Sequence, residues 1–250
     1  VTRHVVQFSS GVGSYLAACR VAERHGTAEM VLLFADVRTE DEDNYRFLHQ
    51  AAARLGVPAT TVTEGRTPQQ AMRDEHFLGN ARFTPCTKLL KLEPCRAWLL
   101  KHADPADTIL YVGIDWSETR RRPGIENGWA PWPVRFPMCD PPHLTKAEML
   151  EQTRRHGIEP PRMYAQGFSH ANCAGACVRG GHAHWTRLLA VNPELFASWE
   201  AFEAEMRTRH GDVAILRRQQ GGVRTPYPLT QLRHDLTAAD GPRQPTLPGT

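Results

Sequence analysis

No apolar run in the chain approaches the ~18 residues that a membrane helix needs. The N-terminal segment VTRHVVQFSSG lacks the sustained apolar stretch of a signal peptide. The expectation is therefore a cytoplasmic protein with no membrane partner. A large excess of charge is missing too: the formal net charge of +3 is too small by itself to argue for nucleic acid or a lipid surface. The twelve His and the local Arg clusters leave a nucleic-acid partner open. Cysteine is sparse, at six residues (Cys19, Cys86, Cys95, Cys139, Cys173 and Cys177). In a reducing compartment these are expected as thiols or metal ligands rather than disulfides. A chain of 250 residues is long enough for one large domain, or a domain with an appendage, around a real core.

Residues 4–8 read as a buried strand, about 14–26 as an amphipathic helix, and Met30 to Ala35 (MVLLFA) as a second continuous apolar strand closed by Asp36. A helix over about 41–55 carries Tyr45, Leu48, Ala52 and Leu55 at helical spacing and stops at Gly56-Val57-Pro58. Ala59 to Val62 makes a third strand. Leu89 to His102 reads as a helix with Pro94 as an awkward interior residue, and Ile109 to Ile114 (ILYVGI) as another buried strand. Alternating strands and helices predict an α/β domain with a mainly parallel sheet, whose ligands sit beyond the carboxyl ends of the strands.

The pattern changes near residue 123. Thr145 to His156 is expected as a helix with a Thr145/Glu148 capping box. Residues about 179–190 and 193–209 read as two more helices, and no strand is expected in this part. Residues 1–123 are thus expected as the α/β domain, 124–215 as a helical extension carrying a Cys metal or cluster site, and 216–250 as a basic, Pro/Gly-rich tail. The final dozen residues of that tail are expected to be disordered.

The turn after the first strand, Ser9-Ser10-Gly11-Val12-Gly13-Ser14, joins a strand to a helix N-terminus. Such a unit converges backbone N–H groups on one point and suits an anion, phosphate above all. It lacks the Lys-Ser/Thr of a P-loop, since Ser14-Tyr15 follows Gly13. It also lacks the third small residue of the dinucleotide fingerprint, since Leu16 stands there.

What is there resembles the PP-loop, S-G-G-x-D-S, of the ATP-pyrophosphatase superfamily, with Ser10 in place of the first Gly and Gly13 in place of the Asp. Three further stretches resemble the phosphoadenylyl-sulfate reductase-like branch. FAD, ending in Asp36, resembles its strand-end F-A-D-T. Cys86-Thr-Lys-Leu-Leu-Lys91-Leu-Glu-Pro94 resembles C-T-x-x-L-K-x-x-P. Gly113-Ile-Asp-Trp-Ser-Glu118-Thr-Arg-Arg121 resembles G-x-R-x-x-E-S-x-R, with Asp115 in the place of the Arg. The resemblance implies a Rossmann-like (HUP-type) parallel sheet with helices on both faces. It implies ATP and Mg2+ with phosphates on Ser9, Ser10, Gly11, Val12, Gly13 and Ser14, adenosine near Asp36, Gly113 beside the nucleotide, and Lys91 and Arg121 stabilising phosphate charge. Glu40, Asp41, Glu42 and Asp43 are read as an acidic helix N-terminus favoured by the macrodipole.

Asn172-Cys173-Ala-Gly-Ala-Cys177 puts two Cys four apart across small residues, able to face one ion or cluster. Cys86 (TPC) and Cys139 (FPMCDPP) lie in Pro-flanked loops, so the four are candidates for one four-cysteine site. Zinc and an iron–sulfur cluster both take such a set. GFSHANCAGACV resembles the C-terminal half of the reductase-like proteins, which implies a [4Fe-4S] cluster held by four Cys or, as in tRNA thiolation enzymes, by three. Cys19 is read as a small buried hydrophobe, Cys95 as a reserve ligand, and His170, His182 and His184 as flanking residues.

The activity so implied is adenylation with release of pyrophosphate and AMP, followed by sulfur transfer to a nucleobase, a nucleic acid (tRNA or DNA) or a small molecule. A sulfur or electron donor protein would be a partner, and a homodimer is compatible. Two other readings stand beside it. One is a sulfonucleotide reductase, although the chain has no Cys beyond Cys177. The other is a non-catalytic nucleotide-binding module with structural zinc in a nucleic-acid modification or defence complex.

Overall fold

A computed structural model describes residues 1–239. The first of two compact units comprises residues 1–71 and 85–177. Its elements run β1 (Arg3–Gln7), α1 (Val12–His25), β2 (Met30–Ala35), α2 (Glu42–Leu55), β3 (Ala59–Val62), α3 (Pro68–Asp74), a single turn α4 (Pro85–Thr87), a π-helix (Lys88–Leu92), α5 (Glu93–His102), β4 (Thr108–Val112), a 3-10 helix (Trp116–Arg121), α6 (Arg122–Trp129), β5 (Val134–Arg135), α7 (Lys146–Arg155) and α8 (Arg162–Ala165).

The five strands form one parallel sheet in the order β3-β2-β1-β4-β5. The expected Rossmann-like α/β sheet is present. Period-two alternation explains why both faces are covered. Val6, Leu32 and Phe34 point into one apolar layer with Leu16 of α1, Phe47 of α2 and Met149 of α7. Val5, Leu33 and Leu110 point into the other with Leu99 of α5 and Trp129 of α6. The chain leaves β1 toward β2 on one side and returns from β3 to β4 on the other. The crevice beyond the carboxyl ends of β1 and β4 is therefore the topological switch point, where such sheets take ligands.

Three expectations are revised. The helix over 89–102 is present, but its first part is not a regular α-helix: Pro94 has no N–H and its ring crowds the preceding turn. The chain answers by widening into the π-helix, where the Glu93 N–H reaches back to the Lys88 carbonyl, and α5 starts cleanly with Pro94 in its first turn. Strands do occur beyond residue 123. β5 joins the sheet at its edge with two residues, too few to leave a periodic signal. The third correction lies in the second unit, residues 72–84 and 178–239.

That unit contains α9 (His182–Val191), α10 (Pro193–His210), β6 (Leu216–Gln220), β7 (Val223–Tyr227) and α11 (Leu229–Ala239). β6 and β7 pair antiparallel, and residues 216–239 are an ordered hairpin and helix where composition predicts a tail. The disorder expected of the chain end falls on residues 240–250, outside the described residues. Trp185, Phe196, Trp199 and Phe202 pack edge to face, and buried Glu203 accepts the Ile215 and Leu229 N–H groups at 2.8 and 2.5 Å. Among the described residues no helix is long and apolar enough to cross a membrane.

Candidate functional site

The loop after β1 is held by its own serines. Ser10 is buried with φ 59°, a left-handed conformation costly for a side chain, and its Oγ donates to the Asn44 carbonyl of α2 at 2.8 Å. Ser14 Oγ donates to the Gly11 carbonyl at 2.9 Å and accepts the Ser9 N–H at 3.2 Å. No side chain caps α1: its N-cap is Gly11, and its first turn has no acid. Among the described residues, the Tyr164 hydroxyl, 3.4 Å from Val12 N, is the side chain drawn onto these N–H groups. The positive end of a fourteen-residue helix thus opens, scarcely compensated, beyond β1.

Gly13 and Gly113 explain each other. A Cβ on Gly13 would lie 2.9 Å from the Gly113 carbonyl oxygen. A Cβ on Gly113 would lie 2.7 Å from Ser14 Cα and 2.9 Å from the Gly13 carbonyl carbon. The first turn of α1 therefore rests backbone to backbone on the end of β4, at the switch point. Gly13 stands where this contact leaves no room for a side chain.

Lys91 lies in the π-helix and reaches Glu40 at 3.4 Å. Glu40 lies ahead of α2 and does more than complement a helix N-terminus, the role its place in the acidic run predicts. Its side chain is 2% exposed, and it accepts the Cys173 N–H at 2.6 Å and an Asn44 amide N–H at 3.4 Å. Burial lowers the Lys91 pKa, but Glu40 and the Cys173 and Cys177 thiols outweigh it, so the ammonium form is favoured. Cys173 (φ 54°) and Ala174 (φ 48°) are both left-handed, followed by Gly175 at φ 86°. The bond from Cys173 N–H to Glu40 holds that strained turn in place.

Three of the four candidate cysteines gather here. Cys173 and Cys177 are free thiols that share a hydrogen bond, and that hydrogen bond, burial and Glu40 push the Cys173 thiol well above the ordinary value. Burial, then the neighbouring Cys177, raises Cys86, against an opposing pull from Lys91. Cys86, Cys173 and Leu89 pack against Val37, Ala71 and Leu90. Cys139 keeps other company: its Sγ donates to the Ile114 and Asp115 carbonyls at 3.5 and 3.4 Å, and its charged neighbours are Arg122, Asp115, Asp140 and Glu118. No group of three or more His, Cys, Asp or Glu among the described residues is arranged to hold a metal ion.

The remaining candidate residues have these places. Asp36 Oδ1 accepts the Arg38 N–H at 2.8 Å and the Tyr45 hydroxyl at 2.7 Å. Arg121 is half-exposed and paired with Glu118 on the same short helix. Cys19 is buried beside Tyr15 and His156, and burial pushes its thiol up to about 11. Cys95 is buried, and burial pushes it up to about 12. His182 meets the Arg217 carbonyl at 2.9 Å within the second unit.

A cavity of about 90 Å³ opens beside the loop, lined by Gln7, Ser9, Ala35, Glu40, Lys91 and Cys95 among others. It has room for part of a ligand, not a whole nucleotide. Gln7 Nε2 is buried there with no hydrogen-bond partner among the described residues. An unmade bond of that kind costs about 1–3 kcal/mol, which an acceptor on a ligand would recover. Nothing in the sequence singles out Gln7 or Glu40: one reads as an ordinary strand residue, the other as one acid in a run of four.

No family model matches the chain, and no curated protein matches it. Among solved structures it is similar to the NH3-dependent NAD synthetase from Campylobacter jejuni in complex with the nitrate ion. The identity is 13% and the TM-score 0.41, over 83% of this chain and 82% of that one. At that identity and TM-score the likeness gives neither a family nor an activity.

Proposed function

We propose that this protein is an ATP-consuming adenylating enzyme of the PP-loop kind that activates its substrate for sulfur transfer. The observation that carries the reading is the scarcely compensated N-terminus of α1, fixed against β4 by Gly13 and Gly113 at the switch point of the sheet. Backbone N–H groups of Gly11 to Ser14 would bind the phosphates of Mg·ATP. Asp36 and the Gln7 amide would lie toward the nucleoside, and Lys91, held as an ammonium by Glu40, would offset charge that develops on the phosphates. A substrate oxygen attacks the α-phosphorus, the bond to the β-phosphate oxygen breaks, and pyrophosphate leaves. A donor at the sulfide level then displaces AMP, forming a bond from sulfur to the activated atom with no net redox change.

Cys86, Cys173 and Cys177 are the thiols that would hold an iron–sulfur cluster, although they are not arranged as a metal site here, and Cys139 stands outside the set. When bound, such a cluster would supply a site for the incoming sulfur. Glu40 and the left-handed turn at 173–175 fix where the paired thiols stand.

The test is product analysis. Protein purified without oxygen is incubated with Mg·ATP, and the nucleotides are separated. AMP and pyrophosphate support the reading. ADP with inorganic phosphate as the products overturns it.

A further inference from the structure

The hairpin of β6 and β7 carries no strand signal in the sequence, and no step of the proposed chemistry uses it. Residues 217–225 are all exposed, and 213–234 contains no Asp or Glu but four Arg. The pairing register sorts the side chains. Leu216, Arg218, Gln220, Val223, Thr225 and Tyr227 share one face; Arg217, Gln219, Arg224 and Pro226 share the other.

The first face is committed to the protein at its base. Leu216 and Tyr227 are buried, and Arg218 stacks on the Tyr227 ring at 4.1 Å and pairs with Asp235 at 2.5 Å. The second face is open. Arg217 and Arg224 have no acidic partner among the described residues, and Arg224 Nε donates across the strands to Gln219 Oε1 at 3.4 Å. The result is an Arg-Gln-Arg surface on a two-stranded ribbon with a Gly221-Gly222 turn.

We infer that this ribbon is a docking surface for double-stranded DNA. Charge complementarity selects a polyanion. The open face carries no aromatic side chain on which an unstacked base would rest, which disfavours a single strand. Strands of five residues span about 17 Å, and a two-stranded ribbon fits the ~12 Å major groove of B-form DNA. The A-form major groove of RNA is too deep and narrow to admit it. Gln219, between the two guanidinium groups, presents both a donor and an acceptor toward base edges. The inference goes beyond the proposed function by giving the chain a nucleic-acid partner. Binding needs neither ATP nor a sulfur donor, so it stands or falls apart from the nucleotide chemistry.

The test is fluorescence anisotropy of a short labelled DNA duplex with the full chain, over a salt series and without ATP. The comparison proteins are Arg217→Gln/Arg224→Gln and Arg217→Lys/Arg224→Lys. Each phosphate contact is worth a factor of about 8 near ~0.1 M salt, so the Gln pair is expected to weaken binding on the order of 60-fold. It should also flatten the plot of log K against log salt by about 1.8, while the Lys pair keeps most of both. Unaltered melting of the variants shows that the fold is kept. If the double Gln variant does not fold, each single Gln variant is read for half the slope change. Failure of the wild type to bind the duplex, equal binding by the Gln variant, or RNA duplex bound as tightly as DNA would each overturn the inference.

Discussion

Gly13 and Gly113 touch through their backbones. The Gly113 carbonyl oxygen stands 2.9 Å from where a Gly13 Cβ would be, and a Gly113 Cβ would meet Ser14 Cα at 2.7 Å. The obstruction is backbone on both sides, so no rotamer change relieves it. Gly13→Ala gains at most ~1 kcal/mol of helix propensity and loses about 1–3 kcal/mol to overpacking. Its net effect is expected to be destabilising, read as a lowered urea midpoint. Gly13→Asp is expected to lose nucleotide binding, because the first turn must leave β4 and Asp adds negative charge at the proposed seat of the phosphates.

Glu40→Gln removes the carboxylate that faces Lys91 and Cys173 N–H. Lys91 is 29% exposed and Glu40 2%, so the full cost of breaking a buried pair is discounted to about 2 kcal/mol. A double-mutant cycle with Lys91→Met, followed by chemical denaturation, should give a coupling of about 1 kcal/mol or more. Additive effects would mean that the two side chains do not act as a pair.

Asp43 ties α2 to the start of α8. It accepts from Arg46 Nε at 2.5 Å and from the Arg162 N–H at 2.6 Å, and these bonds, Arg46 first, hold its pKa below the usual carboxylate value despite its burial. With the folded pKa below the unfolded one, its stabilisation is fully present above the unfolded value near ~4 and is lost as pH falls through the folded value. Asp43→Asn should cost about 1–2 kcal/mol near neutrality and nothing in strong acid. Urea midpoints of the two proteins compared across pH check this: the gap must close on acidification.

The cysteines should separate on metal analysis. Cys86→Ser, Cys173→Ser and Cys177→Ser are expected to strip iron and sulfide from anaerobically purified protein, while Cys139→Ser keeps them. Loss of iron in Cys139→Ser alone would reverse the grouping.

Much of the fold was legible because β2 and β4 are largely continuous apolar runs and the Thr145/Glu148 capping box is local. The loop was legible from its Gly and Ser residues alone. Other features are products of the fold. Pro94 signals a break, but the π-helix that absorbs it depends on where the Lys88 carbonyl can find a donor. Glu40 reads like Asp41, Glu42 and Asp43, and its burial follows from a long-range bond to Cys173. The β6–β7 hairpin has no apolar alternation because most of its residues are exposed. Arg121 looks like a phosphate ligand in the sequence, and Glu118, one turn earlier, holds it.

The central claim is that the turn at Ser9 to Ser14 seats the phosphates of ATP. Titration calorimetry with Mg·ATP, in wild type and Gly113→Ala and with pyrophosphate as competitor, tests it most directly. The account predicts one site per chain in the wild type, displacement by pyrophosphate, and loss of the site in a Gly113→Ala protein that still folds. Binding that ignores pyrophosphate, or that persists unchanged in folded Gly113→Ala, would contradict it.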